Sequence, residues 1–144
     1  TYGYIYTAQV AMGASDMQTL RAFREADAYE GPSLIIAYTH CINHGYEMKL
    51  GLNQQDLAVK SGMWPIYRYN PDLVKEGKNP LQFDSKETTI SFEDYASGEN
   101  RYRVLKKANP EMAAKLRDQA NKYTNSRFDL YRKLAEMNTN WGAK

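Results

Sequence analysis

Cysteine is nearly absent from this chain: of 144 residues only Cys41 carries a thiol, so no internal disulfide can form. That scarcity fits a reducing compartment, and the cytoplasm is the expected location. No apolar run approaches the roughly 20 residues of a membrane helix, and no basic stretch leads into an apolar segment as in a secretory leader. A membrane partner is therefore not expected. Internal repeats and low-complexity tracts are missing as well. What remains is a chain with 42% hydrophobic residues and both charge signs at ordinary frequency, enough for one globular domain with a real core. It opens on Thr1 with a strand-like pattern already under way, which reads as a piece of something longer.

Charge of one sign is scarce in each part of the chain. Residues 1–100 hold 8 Lys+Arg against 13 Asp+Glu, and residues 101–144 hold 11 against 4. A basic helix can bind nucleic acid. Here, however, Lys106-Lys107 and Arg132-Lys133 are the only adjacent pairs, and Asp118, Asp129 and Glu136 are interspersed with the rest. The expectation is a solvated face and no nucleic-acid partner.

Hydrophobic periodicity gives the organisation. In "YGYIYTAQV", Tyr2, Tyr4, Tyr6 and Ala8 alternate with Ile5, Thr7 and Gln9, predicting a strand buried on both sides. Ser15 with Gln18 three positions on is a capping-box start for a helix carrying Met17, Leu20, Phe23 and Ala26, ended by Gly31-Pro32. The short apolar run Leu34–Ala37 then suits a central strand. Strand, helix, strand in about 40 residues predicts two parallel strands joined by a right-handed crossover, an α/β signature.

Beyond Gly45, "LNQQDLAVKSGMW" predicts a helix with Leu52, Leu57 and Val59 inward. "WPIYRYNP" reads as an extended segment with Trp64, Ile66 and Arg68 set against Tyr67 and Tyr69, closed by an Asn70-Pro71 turn, and "NPLQFDS" as a short strand or arm. Asn109 caps the last element and Pro110 takes its first turn. Met112, Leu116, Ala120, Tyr123, Leu130, Leu134 and Met137 recur at threes and fours, predicting a long helix across the domain. Three stretches result: residues 1–62 as α/β, 63–100 as an irregular arm and 101–144 as the C-terminal helical segment.

The apolar run at Leu34 stops in "YTHCINHG", a cluster able to hydrogen-bond, ionise or bind metal. In open parallel sheets ligands bind beyond the carboxyl ends of strands, and Tyr38–Gly45 falls at such an end. His40, Cys41 and His44 could ligate zinc, but no second cysteine and no third histidine exists to complete a site. A Cys41–His40 nucleophile pair is disfavoured because neighbours on an extended chain point to opposite faces, and Cys41 reads instead as a small buried residue. Asn43 is either a turn former or an uncharged amide suited to fixing a carboxylate or carbonyl.

"TYGYIYTAQVAMG", "EADAYEGPSLIIAYTHCINHG", "AVKSGMWPIYRYNP" and "GKNPLQFDSK", with their spacing, resemble the C-terminal portion of the pyruvate:ferredoxin (flavodoxin) oxidoreductase family from Tyr2 to about Met137. The resemblance implies half of a thiamine-diphosphate-binding fold, parallel strands with a crossover helix, followed by an irregular arm and a long C-terminal helix. It implies a homodimeric parent that decarboxylates pyruvate on thiamine diphosphate with Mg2+. That parent passes electrons through iron-sulfur clusters to ferredoxin or flavodoxin and hands the acetyl group to coenzyme A. It further implies that Tyr38, Thr39, His40, Cys41, Ile42 and Asn43 line the cofactor and that Asn43 reaches the substrate.

Departures from the family pattern limit the expectation. The Gly-Asp-Gly stretch that holds magnesium and diphosphate is missing, as is the glutamate that activates the aminopyrimidine ring. No residue here is expected to ligate a metal, no cofactor is expected to bind this chain tightly, and the chain alone is expected to be inactive without the rest of its parent. A related oxidoreductase for another 2-oxoacid, or a non-catalytic folding or interaction module, are the competing readings.

Overall fold

The computed structural model describes residues 3–137. Four strands form one sheet in the order β2-β1-β3-β4: β1 at Tyr6–Val10, β2 at Ser33–Ala37, β3 at Tyr67–Tyr69 and β4 at Leu81–Phe83. As expected, β1 and β2 pair in parallel, with Tyr6 opposite Ser33 and Val10 opposite Ala37. The sheet is mixed, because β3 runs antiparallel to β1 and β4 antiparallel to β3. The class is α/β.

Helix α1 (Asp16–Ala28) makes the crossover between β1 and β2. Ser15 caps it, its hydroxyl accepting from the Gln18 N–H, so half of the expected capping box is present. The other half is not, since the Gln18 side chain turns under the sheet to donate to Asp84.

Several burial expectations are overturned. β1 begins at Tyr6, with Tyr4 exposed and Tyr2 outside the described residues. Its buried residues Tyr6, Ala8 and Val10 share one face, while Thr7 and Gln9 on the other are only half-buried. β2 is an edge strand among the described residues, with Leu34 and Ile36 exposed. α1 meets the sheet through Gln18, Ala22 and Ala26, small or slender side chains that let it approach a layer already filled by Tyr6. Met17, Leu20 and Phe23 consequently face outward.

The remaining helices follow β2 in the chain. Helix α2 (Gly51–Lys60) buries Gln54, Gln55 and Ala58; of the residues expected inward Leu57 packs against the buried cluster around Ala58, whereas Leu52 is exposed. Helix α3 (Asp72–Lys75) follows the Asn70-Pro71 turn, where the Asn70 side chain accepts from the Asp72 N–H. Helices α4 (Phe92–Ala96) and α5 (Asn100–Ala108) lead to α6, Pro110–Glu136, whose first turn is capped by the Asn109 side chain accepting from Met112 N–H. Phe128 of α6 packs edge-on against Phe83, and Tyr131 against Tyr67. α6 docks through Thr124 and Phe128, while Met112, Leu116, Tyr123, Leu130 and Met137 of the expected stripe are exposed. Among the described residues no helix is long and apolar enough to cross a membrane.

Between the α1 layer and the sheet lies one buried ionic knot. Arg68 on β3, 8% exposed, donates Nε and Nη2 to the two carboxylate oxygens of Asp84 at 2.8 and 2.7 Å, and Nη1 to Glu25 on α1. Tyr6 donates its hydroxyl to the other oxygen of Glu25. A two-point guanidinium–carboxylate pair is stronger and more directional than a single bond. One arginine thus joins α1, β1, β3 and the end of β4.

Candidate functional site

The strand-end segment leaves β2 extended, with the Tyr38 N–H still donating to Val10 O at 2.9 Å, and closes in a 3-10 turn at Ile42–His44. Gly45 ends the turn at φ +72°, and a Cβ there would lie 2.5 Å from Asn100 Cβ. Both the left-handed backbone and the close approach to α5 require glycine. The turn presents Thr39, Cys41, Ile42 and Asn43 to solvent as a crest, Ile42 at 75% exposure. Cys41 is a free, exposed thiol and not the small buried residue expected, because it lies beyond the end of β2 at the start of the outward-facing turn.

The expected residues divide into those that face outward and those that anchor. His40 lies against the start of α2, where a Cβ on Gly51 would come within 2.7 Å of its ring. His44 points elsewhere, placing Nδ1 3.7 Å from Glu99 Oε1. Among the described residues no group of three or more His, Cys, Asp or Glu could hold a metal.

Tyr38 is the hinge post of the segment. Its ring meets Trp64 edge-on at 5.3 Å, and the Trp64 indole N–H donates to the same Val10 carbonyl that Tyr38 uses. Its hydroxyl lies 3.1 Å from that of Tyr95 on α4. Burial pushes the Tyr38 hydroxyl upward in pKa, and burial together with the Tyr38 hydrogen bond does the same to Tyr95 more strongly. Both phenols are therefore neutral at physiological pH and able to donate.

Three polar residues that sequence reasoning missed hold the crest from below. Gln55 accepts from the Gly13 N–H at 2.8 Å and donates to Tyr38 O at 3.3 Å, tying the loop after β1 to the end of β2. Gln54 donates to Tyr95 O and to Glu99 Oε1, both at 3.2 Å. Glu99, 1% exposed, is a buried carboxylate with Arg101 at 3.5 Å and His44 at 3.7 Å. No linear signal marked it, since "SGENR" reads as a polar turn. The adjacent glutamines broke an apolar pattern, and that break was the one available hint.

Chemically, the crest offers an amide, a thiol and a hydroxyl on a braced support, with no carboxylate on its solvent side. It can line or orient a ligand, and the charge needed to hold a cation must come from elsewhere.

Among models of known protein families, none matches the chain. Individual relatives do. Pyruvate-flavodoxin oxidoreductase of Nostoc sp. is 52% identical over 134 residues, 93% of this chain, and that of Trichormus variabilis is 50% identical over 142 residues, 99% of it. Pyruvate:ferredoxin oxidoreductase of Moorella thermoacetica is 52% identical over 136 residues, 94% of this chain. The chain spans only 11 to 12% of the length of these relatives. With half of its residues identical across nearly its whole length, the chain belongs, as one segment, to the family of pyruvate-flavodoxin and pyruvate:ferredoxin oxidoreductases.

Proposed function

We propose that this chain is the second half of the thiamine-diphosphate domain of a pyruvate oxidoreductase. In that reading the parent converts pyruvate and coenzyme A to acetyl-CoA and CO2, passing two electrons through iron-sulfur clusters to flavodoxin or ferredoxin. The observation that carries the proposal is the braced crest beyond the parallel strands, Tyr38–Asn43, at the position where open α/β sheets bind ligands.

The residues present do not fit magnesium diphosphate by themselves. A hard cation needs several oxygen ligands, and the one carboxylate beneath the crest, Glu99, is buried and already engaged. A single cysteine likewise cannot hold an iron-sulfur cluster, so thiolates from elsewhere in the parent are required. The chain's contribution is a wall of neutral donors and acceptors, and alone it binds the cofactor weakly and is inactive. Within that wall Asn43 is the group suited to a 2-oxoacid carboxylate, because an uncharged amide orients the anion without overstabilising the ground state.

The test is made in a full-length relative carrying this segment. Asn43→Ala lowers turnover by more than about tenfold, the scale of losing one positioned donor; unchanged kinetics would remove Asn43 from the site. Cys41→Ser in parallel separates an amide role from a thiol role, since loss there with Asn43→Ala intact moves the essential group to the exposed thiol. Calorimetry of thiamine diphosphate and Mg2+ against the 144-residue chain shows no saturable binding if the incomplete-site reading holds.

A further inference from the structure

The basic residues of the last third, scattered in sequence, gather in space along one trough. Between α4, α5 and the first half of α6 lies a groove of about 830 Å3 whose floor is Phe92, Leu105 and the small residues Ala96, Ala113 and Ala120. Arg103, Lys106, Lys107 and Arg117 stand along it. Glu93 is the sole carboxylate of the lining, and it is occupied by Arg117 at 2.8 Å and Lys106 at 3.6 Å. Arg103 and Lys107 make no ion pair among the described residues.

The apolar surface does not end with the groove. Leu116 and Tyr123 form its outer lip and begin a line continued by Leu130 and Met137, exposed by 44, 66, 54 and 47% respectively. Those four recur every seventh residue. The line runs about 30 Å at the helical rise of about 1.5 Å per residue, longer than a small ligand and matched to the seam of a partner helix.

We propose that this face of α5 and α6 docks an acidic amphipathic helix. Alanines in the floor leave holes into which large apolar side chains of a helix insert, and the unpaired cations of α5 meet carboxylates on its flank. A second copy of this chain is a poor occupant, since its own α6 is basic and would bring like charges together.

Fluorescence anisotropy on the 144-residue chain tests this with a labelled synthetic helix of about three heptads, carrying Leu along one seam and Glu on both flanks. Two control peptides replace Glu by Lys or Leu by Ser. The acidic peptide binds saturably, both controls at least about tenfold more weakly, and binding weakens as salt rises from about 0.05 to about 0.5 M. Tyr123→Glu and the pair Arg103→Glu, Lys107→Glu, all at exposed positions that leave the melting temperature unchanged, each weaken it at least about tenfold. Absence of binding, equal binding of the Lys peptide, or indifference to both variants overturns the proposal. So does concentration-dependent self-association abolished by Tyr123→Glu, which would make a second copy the occupant, or tighter binding of a single-stranded oligonucleotide than of the acidic peptide.

Discussion

At one edge of the sheet β3 and β4 are tied to α1 through Arg68 and covered by the aromatic face of α6, whereas at the other edge β2 leaves Leu34 and Ile36 in solvent. On the first edge both covering layers come from within the chain. On the second, α1 covers one face, Leu34 and Ile36 are exposed, and among the described residues no strand pairs with the outer side of β2. The candidate crest springs from the bare edge. A segment that makes up about a ninth of its relatives is therefore self-sufficient around β3 and β4 and open around β2 among the described residues.

The contrast breaks most readily at the covered edge. Phe128→Ala removes a ring buried to 4% against Phe83 and should cost about 3 to 4 kcal/mol in urea unfolding; a loss under about 1 kcal/mol would mean that α6 is not integral to that layer. Next comes Arg68→Met, which strands the Asp84 and Glu25 carboxylates and should cost about 3 kcal/mol, the lower end for a broken buried pair because Glu25 is partly exposed. If the variant were as stable as the parent chain, the knot would be ornamental.

Alkaline pH compares the two halves through their tyrosines. Tyr6 in the knot is held above the ordinary phenol range by burial and then by Glu25, and Tyr95 beneath the crest by burial and its Tyr38 bond. Above pH 10, the ordinary phenol value, the folded state keeps protons that the unfolded chain releases. Stability is therefore fully present below that pH and falls as pH rises, by up to about 1.4 kcal/mol per unit for each tyrosine. Denaturant titrations from about pH 8 to about pH 11 should show this slope, made shallower when Tyr6→Phe or Tyr95→Phe removes one of the several buried tyrosines that contribute; a flat profile would contradict the burial of both. The smallest effect belongs to the bare edge. Leu34→Lys should change stability by less than about 0.5 kcal/mol yet reduce self-association seen in sedimentation, since charge blunts an open strand edge.

Much of the fold was legible because its signals are local. Ser15 and Asn109 reveal helix starts through hydrogen bonds spanning three residues, Pro110 through its ring, and Asn70-Pro71 a turn through its own side chain. The crossover followed from spacing. The buried faces were not legible: apolar spacing favoured Met17, Leu20 and Phe23 on α1 and Leu52 on α2, and all four are exposed. Of the candidate site, the position of the crest at the strand end could be read from Tyr38–Asn43, whereas its supports, Gln54, Gln55, Tyr95 and Glu99, lie between 17 and 57 residues from the chain positions they hold.

The sequence by itself determined where α1 and α6 begin, the parallel pairing of β1 with β2, and the kinship with pyruvate oxidoreductases, because caps, turns and residue identity act within a few positions along the chain. Only the tertiary structure decided that β2 is an edge, that Cys41 is exposed, that Glu99 is sealed beneath His44, and that Arg103, Lys107 and Arg117 share one groove. Those outcomes depend on which surface lies opposite, and burial is set by the partner across the interface as much as by the residue itself.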